Sequence, residues 1–135
     1  MKGEYIALFG GGATVISFLF GGFDNALVAL ILFMTIDYFT GLVVAGVFKN
    51  SKKTENGALE SNAGFKGLVR KCVILLMVCV AYQLEVITEI AFIKSTVIYG
   101  YIVNETISII ENVGLMGVPV PDIVKKSIDV LRGRQ

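Results

Sequence analysis

Residues 25–48 read NALVALILFMTIDYFTGLVVAGVF, 24 positions with a single charge, Asp37, at their centre. As one α-helix this run is about 36 Å long, enough to cross the ~30 Å hydrocarbon core of a bilayer. A carboxyl group at that depth is costly and needs protein or water around it, not lipid. The surrounding sequence asks for the same solvent. Tyr5 to Phe23 is a second uncharged run, 55% of all residues are hydrophobic, 17% are charged and the mean hydropathy is +0.75. The expectation is a small all-α integral membrane protein.

Working outward from residue 25, Gly21, Gly22, Asp24 and Asn25 supply turn chemistry between the first two apolar runs. So short a connection makes them an antiparallel hairpin. Lys2 ahead of the first run gives it some likeness to a secretory signal. It has no Ala-x-Ala-like cleavage site, however, and the next span follows almost at once. Gly10, Gly11 and Gly12 lie inside this first run, where a membrane helix can use them for close backbone approach. On the other side, residues 49–71 form a basic loop carrying Lys49, Lys52, Lys53, Lys66, Arg70 and Lys71 against Glu55 and Glu60.

Cys72 to Leu84 is uncharged but only 13 residues long, so a third span must continue through Glu85 toward Ile93. A fourth covers about residues 95–113, and Gly114, Gly117, Pro119 and Pro121 end it. In the tail, residues 114–135, Ile123, Val124, Ile128 and Leu131 share a helical stripe, while Lys125, Lys126, Asp129 and Arg132 fall mainly elsewhere. The chain thus reads as one membrane domain, residues 1–135. It holds three to four transmembrane helices (about 5–23, 25–48, 72–93 and 95–113) and a C-terminal amphipathic helix at the lipid interface.

Charge placement orients these spans. Of 12 Lys and Arg, the central loop holds six, the tail four and the N-terminus Lys2, which leaves Lys94 on the opposite side of a four-span protein. The positive-inside rule puts both termini and the loop in the cytoplasm. With three spans only the N-terminus changes side. Lys49, Lys52, Lys53, Lys66, Arg70, Lys71, Lys125 and Lys126 are then topology determinants beside anionic lipid.

Several kinds of chemistry have no residues to carry them. The chain contains no His, its Ser and Thr have no partner base, and no glycine-rich loop leads into a Lys in the phosphate-binding pattern. Cys72 and Cys79, seven residues apart on one helix face, read as packed reduced thiols, neither a disulfide nor a metal pair. The basic loop lacks the interleaved aromatics of a nucleic-acid surface. No enzyme, cofactor, metal or nucleic-acid partner is expected.

What remains is polarity inside the spans. Asp37 shares a face with Thr40 and Gly41, and Gly41 with Ala45 makes a small-x-x-x-small step that admits a second helix. Asp37 can face an oligomer seam or a water path, or it can make an interhelical hydrogen bond, protonated, within one monomer. In the fourth span Tyr101, Asn104, Glu105, Ser108, Glu111 and Asn112 recur at spacings of three and four, a polar stripe that lipid cannot cover. No partner for this stripe is evident in the sequence, which points to a surface used between copies or toward water. Snorkelling at the boundary accounts for Glu111 and Asn112 but not for Asn104 and Glu105.

Three blocks, taken together, resemble the toxin-secretion and phage-lysis holins. They are DYFTG at 37–41, SNAGFKGLVRK at 61–71 and NETISIIENVGLMGVPVP at 104–121. Their order and spacing match over about residues 25–130. The resemblance implies a phage protein that accumulates in the host's cytoplasmic (inner) membrane and assembles as a homo-oligomer of many copies. At a set time it opens holes through which endolysin, or in related members a large toxin, escapes. Asp37, Thr40, Gly41, Ala45, Asn104, Glu105, Ser108, Glu111 and Asn112 are the candidate seam or pore residues. A small ion channel or proton-coupled transporter using Asp37, Glu105 and Glu111 is the alternative, and a membrane scaffold is a third possibility.

Overall fold

The computed structural model describes residues 1–131 and 133, and it is helical throughout its regular structure. The helices are α1 (Lys2–Phe20), α2 (Asn25–Gly46), α3 (Ser61–Thr88), α4 (Ile93–Leu115) and α5 (Asp122–Leu131). Arg132, Arg134 and the side chain of Leu131 lie outside the described residues. Among those described, the helices long and apolar enough to cross a bilayer are α1, α2 and α3. The expected fourth span, α4, has 23 residues and the necessary length but not the apolarity.

The turns follow from local chemistry. Gly21 ends α1 in the left-handed region at φ 70°, and the Gly22 N–H reaches the Ser17 carbonyl at 2.7 Å. A Cβ at Gly21 would also run into the Tyr82 ring, so both conformation and packing require glycine. Asp24 caps α2, its Oδ1 accepting from the Leu27 N–H at 2.8 Å.

The central basic segment divides at residue 60. Ser61 to Lys71, expected as loop, forms the first turns of α3, since nothing in SNAGFKGLVRK breaks a helix that the apolar run after it propagates. Lys66, Arg70 and Lys71 are therefore helical. At its other end α3 stops at Thr88, short of the expected 93, and Glu89 and Phe92 in the following turn have positive φ. The Glu85 side chain caps α4 across this turn, accepting from the Lys94 N–H at 2.7 Å. Asn50, in the remaining loop, donates to the Leu115 carbonyl at 3.2 Å and so ties that loop to the end of α4.

The most extensive packing is between α2 and α4, with α3 laid against α4. Leu27, Leu30 and Met34 of α2, Val78 of α3 and Ile98 of α4, joined by Phe20, make the apolar core. Outward-facing Leu, Ile, Val and Phe side chains cover the bundle, as expected where lipid replaces water. In α1 only Phe20 is buried. On α5 Ile128 is buried while Ile123, Lys125, Lys126 and Val130 are exposed, so only part of the apolar stripe packs on the bundle.

Candidate functional site

The antiparallel course of α2 and α3, and the parallel course of α2 and α4, bring residues 37, 71 and 105 to one level. Here Lys71 Nζ donates to Asp37 Oδ2 and to Glu105 Oε2, each at 2.7 Å. Asp37 and Glu105 are each 6% exposed, and Lys71 is half-buried between them. Asn112, two turns further along α4, completes the set. Its Nδ2 donates to the Asp37 carbonyl at 3.2 Å, to Asp37 Oδ1 at 3.1 Å and to Thr40 Oγ1 at 2.9 Å. Thr40 in turn donates to the Ile36 carbonyl at 2.8 Å.

The small residues serve this contact. Gly41 lies where a Cβ would meet Asn112 Nδ2 at 3.7 Å, and Ala45 is buried one turn on. Within the chain, the helix received by the small-residue step is α4. Tyr38, beside Asp37, turns toward α3, where its hydroxyl donates to the Gly64 carbonyl at 3.4 Å.

Two expectations need correction. The stripe on α4 does have an intramolecular partner, since Lys71 of α3 holds Glu105 and α2 holds Asn112. And Lys71 is an internal cation joining three helices, not a residue directed at lipid headgroups. A signal for it exists in the sequence: two carboxyl groups in separate spans need a cation, and Lys71 is the basic residue nearest the apolar run of α3. Ser108 is half-buried near the triad, whereas Asn104 and Glu111 are exposed and stand outside the bonded set. Lys49, Lys52, Lys53, Lys66 and Arg70 are exposed, as are Lys125 and Lys126.

A second polar cluster occupies the far end of the bundle. Lys94, the basic residue assigned to the opposite side, is only 5% exposed. Its Nζ donates to Asp24 Oδ2 at 3.2 Å and to the Gly22 carbonyl at 3.4 Å, and it lies 5.9 Å from the centre of the Tyr82 ring. Burial of the Asp24 carboxyl works to raise its pKa, but the Leu27 N–H and the Lys94 ammonium outweigh that, so it sits below the usual value. This cluster fastens the α1–α2 turn to the start of α4. Both cysteines are free; Cys79 packs against the core as expected, whereas Cys72 is exposed.

No cluster of Cys, Asp and Glu among the described residues has the arrangement of a metal site. The site offers instead a set of buried polar groups held by one another across three helices, a common solution for ionisable side chains inside membrane proteins.

Comparison with known proteins agrees. Residues 14–133 match the bacteriophage holin family, and the chain belongs to it. It is 39% identical to an uncharacterized protein of Halalkalibacterium halodurans over 90% of this chain and 88% of that protein. To an uncharacterized protein of Listeria monocytogenes it is 36% identical, over 93% and 86%. It is also 32% identical to a probable holin of Bacillus phage phi105, over 85% of this chain and 79% of that protein. No solved structure matches. The family is not enzymatic, and three apolar helices make this chain a membrane protein.

Proposed function

We propose that this chain is a hole-forming lysis protein of the bacterial cytoplasmic membrane, where many copies assemble and release endolysin at a set time. The observation that carries this reading is the buried polar set Asp37, Lys71, Glu105 and Asn112 inside a member of the holin family. In the closed monomer these groups satisfy one another. When helices separate, the same groups, with Thr40, Asn104, Ser108 and Glu111, become a polar surface that lipid cannot solvate and that water or a second copy can. Gly41 and Ala45 then give a second copy's helix the approach that α4 has in the monomer. No reaction is catalysed; the work is a change of helix partner.

The loop and both termini lie in the cytoplasm in this proposal, with Lys49, Lys52, Lys53, Lys66, Arg70, Lys125 and Lys126 against anionic headgroups. The partner in function is an endolysin, or a large secreted toxin. Expressed alone, the protein stops growth abruptly after a delay and collapses the membrane potential. Expressed with an endolysin that lacks a signal sequence, it lyses the culture. A second reading, a small ion channel or proton-coupled transporter, is favoured by the cleft that reaches the triad. It gives depolarisation with the endolysin retained inside, and that outcome would replace the first reading.

A further inference from the structure

Polar and apolar layers follow each other along the bundle axis in a fixed order. At the end that carries the basic loop, a cleft of about 300 Å³ runs between α2, α3 and α4 down to the triad. Its walls are mixed: Leu42, Leu59 and Ile74 line it together with Ser51, Thr54 and Ser108, and the triad lies at its floor. Gly64 and Gly67 line it on the α3 side, where an added Cβ would meet Tyr38 at 3.6 and 4.0 Å. Thr54 Oγ1 is, among the described residues, the buried side-chain polar atom with no protein partner, and it lines this cleft. Water is the partner such an atom takes. The cleft is large enough to hold a cluster of waters.

Directly beyond the triad the cleft and its polar groups end. Met34 lies one turn from Asp37, then Leu30 and Leu27, and Val78 and Ile98 close the layer from α3 and α4; four of these five are fully buried. A layer of this kind holds no water, because it has nothing to hydrogen-bond it. On the far side stands the Lys94–Asp24 cluster.

We propose that each copy, before assembly, is a water-filled half-channel. Water and small hydrophilic solutes enter from the basic-loop face as far as Lys71, and the Leu27–Leu30–Met34–Val78–Ile98 plug stops them. One consequence concerns the electric field. Where water reaches the triad, the membrane potential falls mainly across the plug, about 10 Å of helix, and not across the whole bundle. The triad then stands at the edge of the steepest field in the protein. The inference leans on the hole-forming reading only for what happens afterwards, since a half-channel exists or not whether or not the culture lyses.

The test is cysteine accessibility before triggering, in a background with Cys72 and Cys79 replaced. Gly67→Cys and Ser108→Cys probe the cleft, Met34→Cys and Ile98→Cys the plug, and Ser51→Cys identifies the loop face. A small, membrane-impermeant methanethiosulfonate sulfonate is applied to intact cells and to inverted vesicles, with the amount of each variant in the membrane measured in parallel. The cleft cysteines are expected to react only from the face that labels Ser51→Cys. They should do so at least about tenfold faster than the plug cysteines, because an apolar layer excludes a hydrated sulfonate. Unreactive cleft cysteines in well-inserted protein would overturn the proposal by showing a dry site. So would plug cysteines that react as fast as the cleft, by showing a continuous pore. Endolysin release by the unmodified chain is scored separately, so a failed lysis assay leaves the labelling result standing.

Discussion

Lys71 places one ammonium between two carboxyl groups, and this asymmetry ranks the substitutions around it. Glu105→Gln or Asp37→Asn leaves Lys71 one carboxyl partner, so membrane levels are expected to stay normal while lysis time shifts. Lys71→Met leaves two carboxyl groups facing each other without a cation. Removing one partner of a buried pair typically costs about 3–5 kcal/mol, against a smaller loss for either neutral carboxamide. The expected result is that Lys71→Met perturbs most, with less protein in the membrane and premature loss of potential. The triple variant Asp37→Asn, Lys71→Met, Glu105→Gln should regain membrane level, because it removes the charges together. Quantified membrane protein and lysis onset check this. If Lys71→Met matches the parent in both, the triad is only incidental to the packing. At this scale the sequence was half legible. Asp37 and Glu105 announced themselves as charges at membrane depth, but Lys71 read as the last of a basic run, since only the crossing of α3 over α2 and α4 turns it inward.

Among the elements, α2 could be read to within two residues because its apolar run, Asp24 cap and flanking polar residues all agree. The start of α3 could not, since charge marked Ser61–Lys71 as polar without revealing its helical backbone. Nor could the inward face of α4, whose polar stripe is sheltered by helices distant in sequence. The far-side cluster is a second feature of this kind, and it has a pH signature. The Asp24 carboxyl lies below its ordinary value in the folded protein. A depressed value means that its contribution to stability is complete above the unfolded carboxylate range, near pH 4, and is lost as pH falls through the lower folded value. In detergent, Asp24→Asn should therefore melt below the parent at pH 7, with the difference closing as the pH drops below 4. A difference that persists unchanged at low pH would assign the effect to the α2 cap and not to the ion pair with Lys94. Burial of Lys94 also selects the topology reporter. Glu89→Cys, in the exposed α3–α4 turn, should label from outside intact cells, and Ser51→Cys only in inverted vesicles. External labelling of Ser51→Cys would reverse the orientation.

For the whole molecule the proposed function raises the question of what keeps the bundle closed until its time. The closed bundle hides its polar groups in two ionic clusters with an apolar layer between, and α1 lies largely outside that arrangement with its apolar side chains exposed. The triad has a formal charge of minus one, and a charge moved through the full membrane field exchanges roughly 2.3 kcal/mol per 100 mV. Closure is therefore expected to depend on the potential. Adding an uncoupler before the natural onset should bring lysis forward in cells making the unmodified chain. Glu105→Gln removes the excess formal charge while keeping a side chain of the same length, so its own onset, though shifted, should respond less to the uncoupler than the parent's does. Comparing onset with and without uncoupler at matched membrane levels isolates this coupling from any change in stability, which would move both onsets together. If Glu105→Gln responds as strongly as the parent, the voltage dependence arises outside the triad, and the two ionic clusters act as packing locks rather than as sensors of the field.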